Sequence, residues 1–263
     1  MLFFILWRFY RDVHSLDLKS YDLVISDFEP VSAWAAKLRA VPSLAIGHQS
    51  AFKYDIPKEG DDLLSRKIME WFAPPATHIG LHWHHFQLPL LPPMIEKNDS
   101  PITTEDHKIL VYLPFENIHH IIRWLEPYGN YRYYVYHEDS TAKTPAHIRL
   151  CPLSRVSFPR DLASCEGVIS NAGFELASGA LTLGKKIRVK PLYGQYEQLS
   201  NAKALKQLGF GEKMNTLDHD ALPPWLAQSS IGSIKYPDVA TTLCQWICNG
   251  MQTSLTELSR QLW

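Results

Sequence analysis

Two short clusters in the second half of the chain carry side chains suited to holding an anion and a polyol. The first, Ser170-Asn171-Ala172-Gly173, follows the apolar run "GVIS" and precedes the helical pattern "FELASGALTLG". A strand that delivers such a turn to a helix start presents free backbone N–H groups and the positive end of the helix dipole. Gly173 removes the side chain that would block an approaching phosphate. The second cluster, Glu197-Gln198, follows the neighbouring strand, "KKIRVKP", and the turn "LYGQY". A carboxylate beside an amide accepts and donates hydrogen bonds in pairs, which suits vicinal hydroxyls. Asn201, one turn further on, is placed to cap or brace the loop. Each cluster has a plainer reading: an ordinary strand-to-helix connection, and an acid interacting with a helix dipole. Together, on neighbouring strands, they describe a pocket for a nucleotide sugar.

The elements that must position these residues alternate between strand and helix, which predicts parallel βαβ units and an α/β fold. In the first half, "YDLVISDF" (Tyr21–Phe28) and "PSLAIGH" read as buried strands. "PVSAWAAKLRA" reads as a helix with Pro30 in its first turn, and "DDLLSRKIMEWF" as one whose N-terminus suits Asp61 and Asp62. A third strand is expected within "THIGLHW". The second half restarts with "KILVYLPF" as a strand, then "ENIHHIIRWLEPYG" as a helix, and the strands "YRYYVYH" and "HIRLCP". "PRDLASC" reads as a short helix, "GVISN" and "KKIRVKP" as strands, and "YEQLSNAKALKQLG" as a helix closed by Gly209. One long helix is expected from about Ala240 to Leu262. The domain reading is residues 1–92 as a first lobe, 93–107 as a proline-rich, then polar linker, and 108–263 as a second lobe.

The totals exclude several classes. With 26 Lys and Arg against 27 Asp and Glu, the net charge of −1 gives no bulk reason to expect nucleic acid as a partner. Four cysteines without a CxxC pair predict no disulfide framework and fit a reducing cytoplasm. Cys244 and Cys248 share a helix face without further ligands at metal spacing, and read as buried apolar cysteines. "HWHH" (residues 82–85) lacks a carboxylate or thiol to complete a metal site, so no metal is expected there. The opening run "MLFFILW" is too short to span a membrane and lacks the basic flank of a signal peptide, so it reads as a helix or strand of the fold.

The run Cys165–Gly211 resembles the donor-binding region of GT-B glycosyltransferases. That superfamily includes the UDP-glycosyltransferases and the N-acetylglucosaminyltransferase that completes the peptidoglycan lipid precursor. A prokaryotic branch also carries "SDFEP…AWAAKL…VPS…GHQ…F", matched here by Ser26–Phe52. The resemblance implies two Rossmann-like lobes of GT-B type and metal-independent transfer, without cofactor, from a nucleotide-diphosphate sugar, a UDP-sugar first. It implies that Ser170, Asn171 and Gly173 hold the diphosphate and that Glu197 and Gln198 contact the sugar. "SFPRDLASC" would line the base pocket, with Phe158 as base contact or as core. The family's ribose-reading glutamate falls on Gly179, which leaves Glu175, one turn earlier, to take over. A glycine there also costs the helix about 1 kcal/mol relative to alanine. By the same comparison the chain enters the first lobe late, one to two βα units short, so that lobe is expected to be incomplete.

Glycosyl transfer needs a base for the acceptor hydroxyl and dipoles or cations for the leaving diphosphate. His48, at the end of "PSLAIGH", has a suitable unperturbed pKa, and Asp27 and Glu29 of "SDFEP" are carboxylate alternatives. The expected activity is transfer of a sugar to an acceptor that the sequence does not identify, with a glycan or a lipid-linked one as candidates, in the cytoplasm or peripherally at the inner membrane face. The alternatives are a non-catalytic nucleotide-sugar-binding remnant and a sugar epimerase on the same architecture.

Overall fold

The computed structural model describes residues 2–60, 63–96 and 101–263, so the Asp61-Asp62 pair expected at a helix start lies outside the described residues, as does part of the expected linker. The chain divides into two compact units: Met1–Ile56 with Asp61–Met94 and Pro237–Trp263, and Pro57–Gly60 with Ile95–Tyr236.

The first unit opens with α1 (Leu2–Ser15), so the apolar N-terminal run is helical. It continues through β1 (Val24–Ser26), α2 (Pro30–Arg39), β2 (Ser43–Gly47), a 3-10 turn (His48–Lys53), α3 (Leu63–Trp71) and β3 (Thr77–Gly80). The three strands are parallel in the order β1-β2-β3. α2 forms where Glu29 supplies a cap: its carboxylate accepts from the N–H groups of Val31 at 2.8 Å and Ser32 at 2.7 Å. Glu29 is therefore occupied as a cap. Val13, Leu18, Val24, Ala35 and Ala36 join α1, β1 and α2 into one small core. The expected strand Tyr21–Phe28 shrinks to its three central residues, and the third strand ends at Gly80, leaving the HWHH residues in a loop.

The second unit holds β4 (Lys108–Tyr112), α4 (Ile118–Leu125), β5 (Arg132–Tyr136), β6 (Ile148–Cys151), α5 (Ser157–Ser164), β7 (Gly167–Ser170), α6 (Phe174–Thr182), β8 (Lys186–Val189), α7 (Tyr196–Gln207), β9 (Glu212–Lys213) and α8 (Leu222–Leu226). Its six parallel strands run β6-β5-β4-β7-β8-β9. β7 and β8 are buried along their whole length, as expected of parallel strands covered on both faces. The core gathers Ile109, Val111, Trp124, Tyr133, Ile169 and Trp225. Strand order reverses between β4 and β7: the chain builds outward through β5 and β6, then returns and builds the other way. In open α/β sheets that reversal opens a crevice beyond the carboxyl ends of the two central strands. β7 ends at Ser170, so the first cluster lies at the switch point.

The expected long final helix is two helices, α9 (Val239–Cys248) and α10 (Leu255–Leu262). Gly250 and Met251, at φ 75° and 53°, turn the chain, and Ser254 restarts it with a capping box to Glu257. Ser259 Oγ and Trp263 Nε1 donate to the Leu90 carbonyl at 2.7 and 2.8 Å. The C-terminal segment thus packs within the first unit, whereas the sequence reading assigned it to the second. Cys244 and Cys248, expected to be buried, are exposed; Cys151 and Cys165 are the buried pair.

Candidate functional site

At the switch point, the N–H of Asn171 donates to the Tyr112 carbonyl at 3.3 Å, joining the ends of β7 and β4. The N–H of Gly173 donates to Asn171 O at 2.9 Å, which curls the turn into α6. α6 starts with Gly173 in the cap position at φ −72°, and no side chain caps it. The first N–H groups of a helix lack intrahelical acceptors, so this end combines available donors with a positive dipole. A Cβ built on Gly173 would meet nothing within 4 Å among the described residues, so the backbone there is uncovered by them. Glu175, in the first turn of α6, is exposed.

The polar side chains of the two clusters divide between support and display. Ser170, 1% exposed, donates its hydroxyl to Asn171 O at 2.9 Å. Asn201, also 1% exposed, donates Nδ2 to Ala172 O at 3.0 Å, pinning the turn from α7. Gln198 accepts the Leu192 N–H at 3.0 Å through Oε1 and so fixes the β8–α7 connection. Glu197 lies half-buried in the first turn of α7. Asn171 is 7% exposed, and its Nδ2 donates to Lys190 O at 2.8 Å. That bond fixes the amide orientation, and Oδ1, buried, has no hydrogen-bond partner among the described residues. A carbonyl oxygen accepts and cannot donate, so Oδ1 suits a ligand hydroxyl, while the backbone N–H groups suit the anion.

Phe158 is half-buried, packed edge-on against Tyr112 and Tyr136 with ring centroids 5.5 and 4.9 Å away. The hydroxyl of Tyr136 donates to Asp161 Oδ2 at 2.7 Å, and Lys108 Nζ donates to Asp161 Oδ1 at 3.1 Å. This buried network ties α5 to β4 and β5. Gly179 has room beside it, since an added Cβ would meet only Leu162 at 3.9 Å. Burial pushes the Cys165 thiol up to about 12, which removes it as a nucleophile.

Two residues at this rim escaped the sequence reading. Lys190 follows β8, and its Nζ donates to Glu116 Oε1, in the β4–α4 connection, at 2.6 Å. The available signal was a lysine at the carboxyl end of the strand "IRVKP".

In the first unit, His48 is 4% exposed, with Nδ1 2.9 Å from the Leu81 carbonyl. Because a carbonyl only accepts, Nδ1 carries a proton and donates it to Leu81 O. The rings of Phe52, His82 and Trp83 surround it. Asp27 is exposed at the carboxyl end of β1, with Oδ1 lying where a Cβ on Gly47 would stand. Among the described residues, no group of three or more His, Cys, Asp or Glu could hold a metal ion, and no helix is long and apolar enough to cross a membrane.

A family model described as glycosyl transferase family 1 matches residues 9–229. Several solved structures share the fold. A glycosyltransferase of kitacinnamycin aligns over 84% of this chain and 72% of its own, at 11% identity and TM-score 0.58. LpCGTa, solved in complex with UDP, aligns over 98% and 80%, at 12% identity and TM-score 0.58. The spinosyn rhamnosyltransferase SpnG, complexed with spinosyn aglycone, aligns over 98% and 73%, at 13% identity and TM-score 0.55. No curated protein matches the chain.

Proposed function

The chain belongs to glycosyl transferase family 1 and has the GT-B type of α/β fold, and from that premise we propose that it takes a nucleotide-diphosphate sugar as donor at the carboxyl ends of β4, β7 and β8. The observation that carries the reading is the uncapped start of α6, uncovered by the described residues, beside the buried Oδ1 of Asn171, which has no partner among them. The N–H groups would hold the diphosphate, Asn171 Oδ1 would accept from a donor hydroxyl, and Glu197 would read the sugar. Ser170, Asn201 and Gln198 act as positioning residues, because their side-chain hydrogen bonds hold the two loops. Phe158 would offer an aromatic edge to the base.

In the transfer, the bond between the anomeric carbon and the diphosphate oxygen breaks, and its electron pair leaves with the nucleoside diphosphate. The acceptor oxygen forms the new bond to carbon, and its proton passes to a base. Between the two candidates of the first unit, exposure favours Asp27 over the buried His48. We infer a UDP-sugar donor, needing neither metal nor cofactor, and a glycan or lipid-linked acceptor. Exposed Phe4, Ile5, Leu6, Trp7 and Tyr10 on α1 would suit a peripheral position at the inner face of the membrane.

The test is thermal stabilisation by UDP, GDP, ADP and dTDP, and then by the sugar conjugates of the best of them. One nucleotide should raise the midpoint above the rest. Asn171→Ala should shrink that rise, measured from its own midpoint, whereas Glu197→Ala should remove only the increment added by the sugar. A folded chain that answers to no nucleotide or conjugate overturns the reading.

A further inference from the structure

The ion pair between Lys190 and Glu116 joins two strand ends at the mouth of this site. The backbone of Lys190 is bonded to the turn itself: its N–H donates to Ser170 O at 2.8 Å, and its carbonyl accepts from Asn171 Nδ2 at 2.8 Å. Its ammonium then reaches Glu116, whose own backbone is fixed on both sides. The Glu116 N–H donates to Leu113 O at 3.0 Å, and its carbonyl lies 3.1 Å from His137 Nε2. The two side chains are 15% and 18% exposed. They are desolvated enough for their charges to matter, yet open enough to exchange partners.

The electrostatics of the site are otherwise one-sided. An uncapped helix start invites negative charge, and a diphosphate brings more than one. A lysine held in the same row of strand ends is the natural counter-charge, but Glu116 neutralises it. A carboxylate and a phosphate oxygen compete for the same ammonium.

Resting on the donor-site reading above, we propose that Lys190 is the cation for the donor's diphosphate, and that Glu116 is a stand-in anion that holds the ammonium in place and yields it when the diphosphate arrives. Lys190 then contacts the substrate, while Glu116 is a positioning residue that opposes binding. The two halves of the pair should consequently respond to substitution with opposite signs. A clasp that only joins two loops would give the same sign for both.

The experiment compares UDP, GDP, ADP and dTDP with their nucleosides by titration calorimetry on the full chain. Lys190→Met should weaken the best diphosphate about tenfold or more and leave its nucleoside nearly unchanged, as loss of a charge-assisted hydrogen bond to phosphate requires. Lys190→Arg should restore most of that loss. Glu116→Gln keeps an acceptor for the ammonium but removes the competing charge, so it should tighten diphosphate binding several-fold. If the wild type binds a diphosphate and both Lys190→Met and Glu116→Gln weaken it alike, or Lys190→Met leaves the diphosphate-to-nucleoside ratio intact, the pair is structural and the inference fails alone. If Lys190→Met does not fold, Glu116→Gln decides: tighter binding supports the inference, and unchanged or weaker binding overturns it. A wild type that binds none of the four defeats the donor-site reading together with it.

Discussion

Asn171 and Asp27 carry two demands each, one from the fold and one from the proposed chemistry. Asn171 satisfies the first with Nδ2 on Lys190 O and keeps Oδ1 for a ligand. Its position was legible in the sequence, because a polar turn between a buried strand and a helix faces a sheet's carboxyl edge. The division of labour within the cluster was not. Ser170, Gln198 and Asn201 have the same hydrogen-bonding types as residues that touch ligands; their side chains bond the loops, a bracing role expected from the sequence for Asn201 alone. Lys190 and Glu116 escaped for a related reason, since a pair 74 residues apart has no spacing to read. Asp27 lies so close to Gly47 that a Cβ there would fall on Oδ1. Glycine is needed at 47 for that approach, because its φ of 166° is ordinary extended backbone. Gly47→Ala should therefore cost about 1–3 kcal/mol. Placed in an Asp27→Ala background, the same substitution should cost markedly less. Equal costs in a denaturant double-mutant cycle would contradict the contact.

Among the elements, α2 depends most visibly on one side chain. Burial would raise the Glu29 carboxyl, but hydrogen bonds from Ser32 and Val31 outweigh it and hold the group below its ordinary value of 4.5. A carboxylate held low in the fold stabilises fully above its ordinary value, and that stability is lost as pH falls through the lowered one. Glu29→Ala should cost about 1 kcal/mol near neutrality. The wild-type advantage should shrink as pH drops below 4.5, and urea midpoints measured on both sides of that value would check it. The helices and strands of the second unit could be read almost directly. "GVIS" and most of "KILVY" are apolar because strands covered on both faces have no solvent side, whereas β8 also carries Lys186 and Arg188, buried and paired with Glu166 and Glu212. Errors fell where local pattern and tertiary context part. Apolar spacing runs on through residues 240–262, yet Gly250 and Met251 take positive φ and break the helix. β9 and α8, two and five residues long, have too little pattern to announce themselves.

At the scale of the whole molecule, the alternation of strands and helices was enough for an α/β fold of two units, but not for where the chain's end belongs. That segment is tied by Ser259 and Trp263 to Leu90, a carbonyl about 170 residues away, a bond no local signal encodes. The proposed donor residues lie on the second unit, and the candidate bases Asp27 and His48 lie on the first. The proposed donor site is the switch point of the six-stranded sheet. Hydrogen exchange, with and without the best-binding nucleoside diphosphate, tests it most directly. Ligand should slow exchange in peptides covering residues 112–117, 170–176 and 190–198, the loops that close β4, β7 and β8. Saturating ligand that leaves these loops unchanged, or protects only peptides of the first unit, would contradict it.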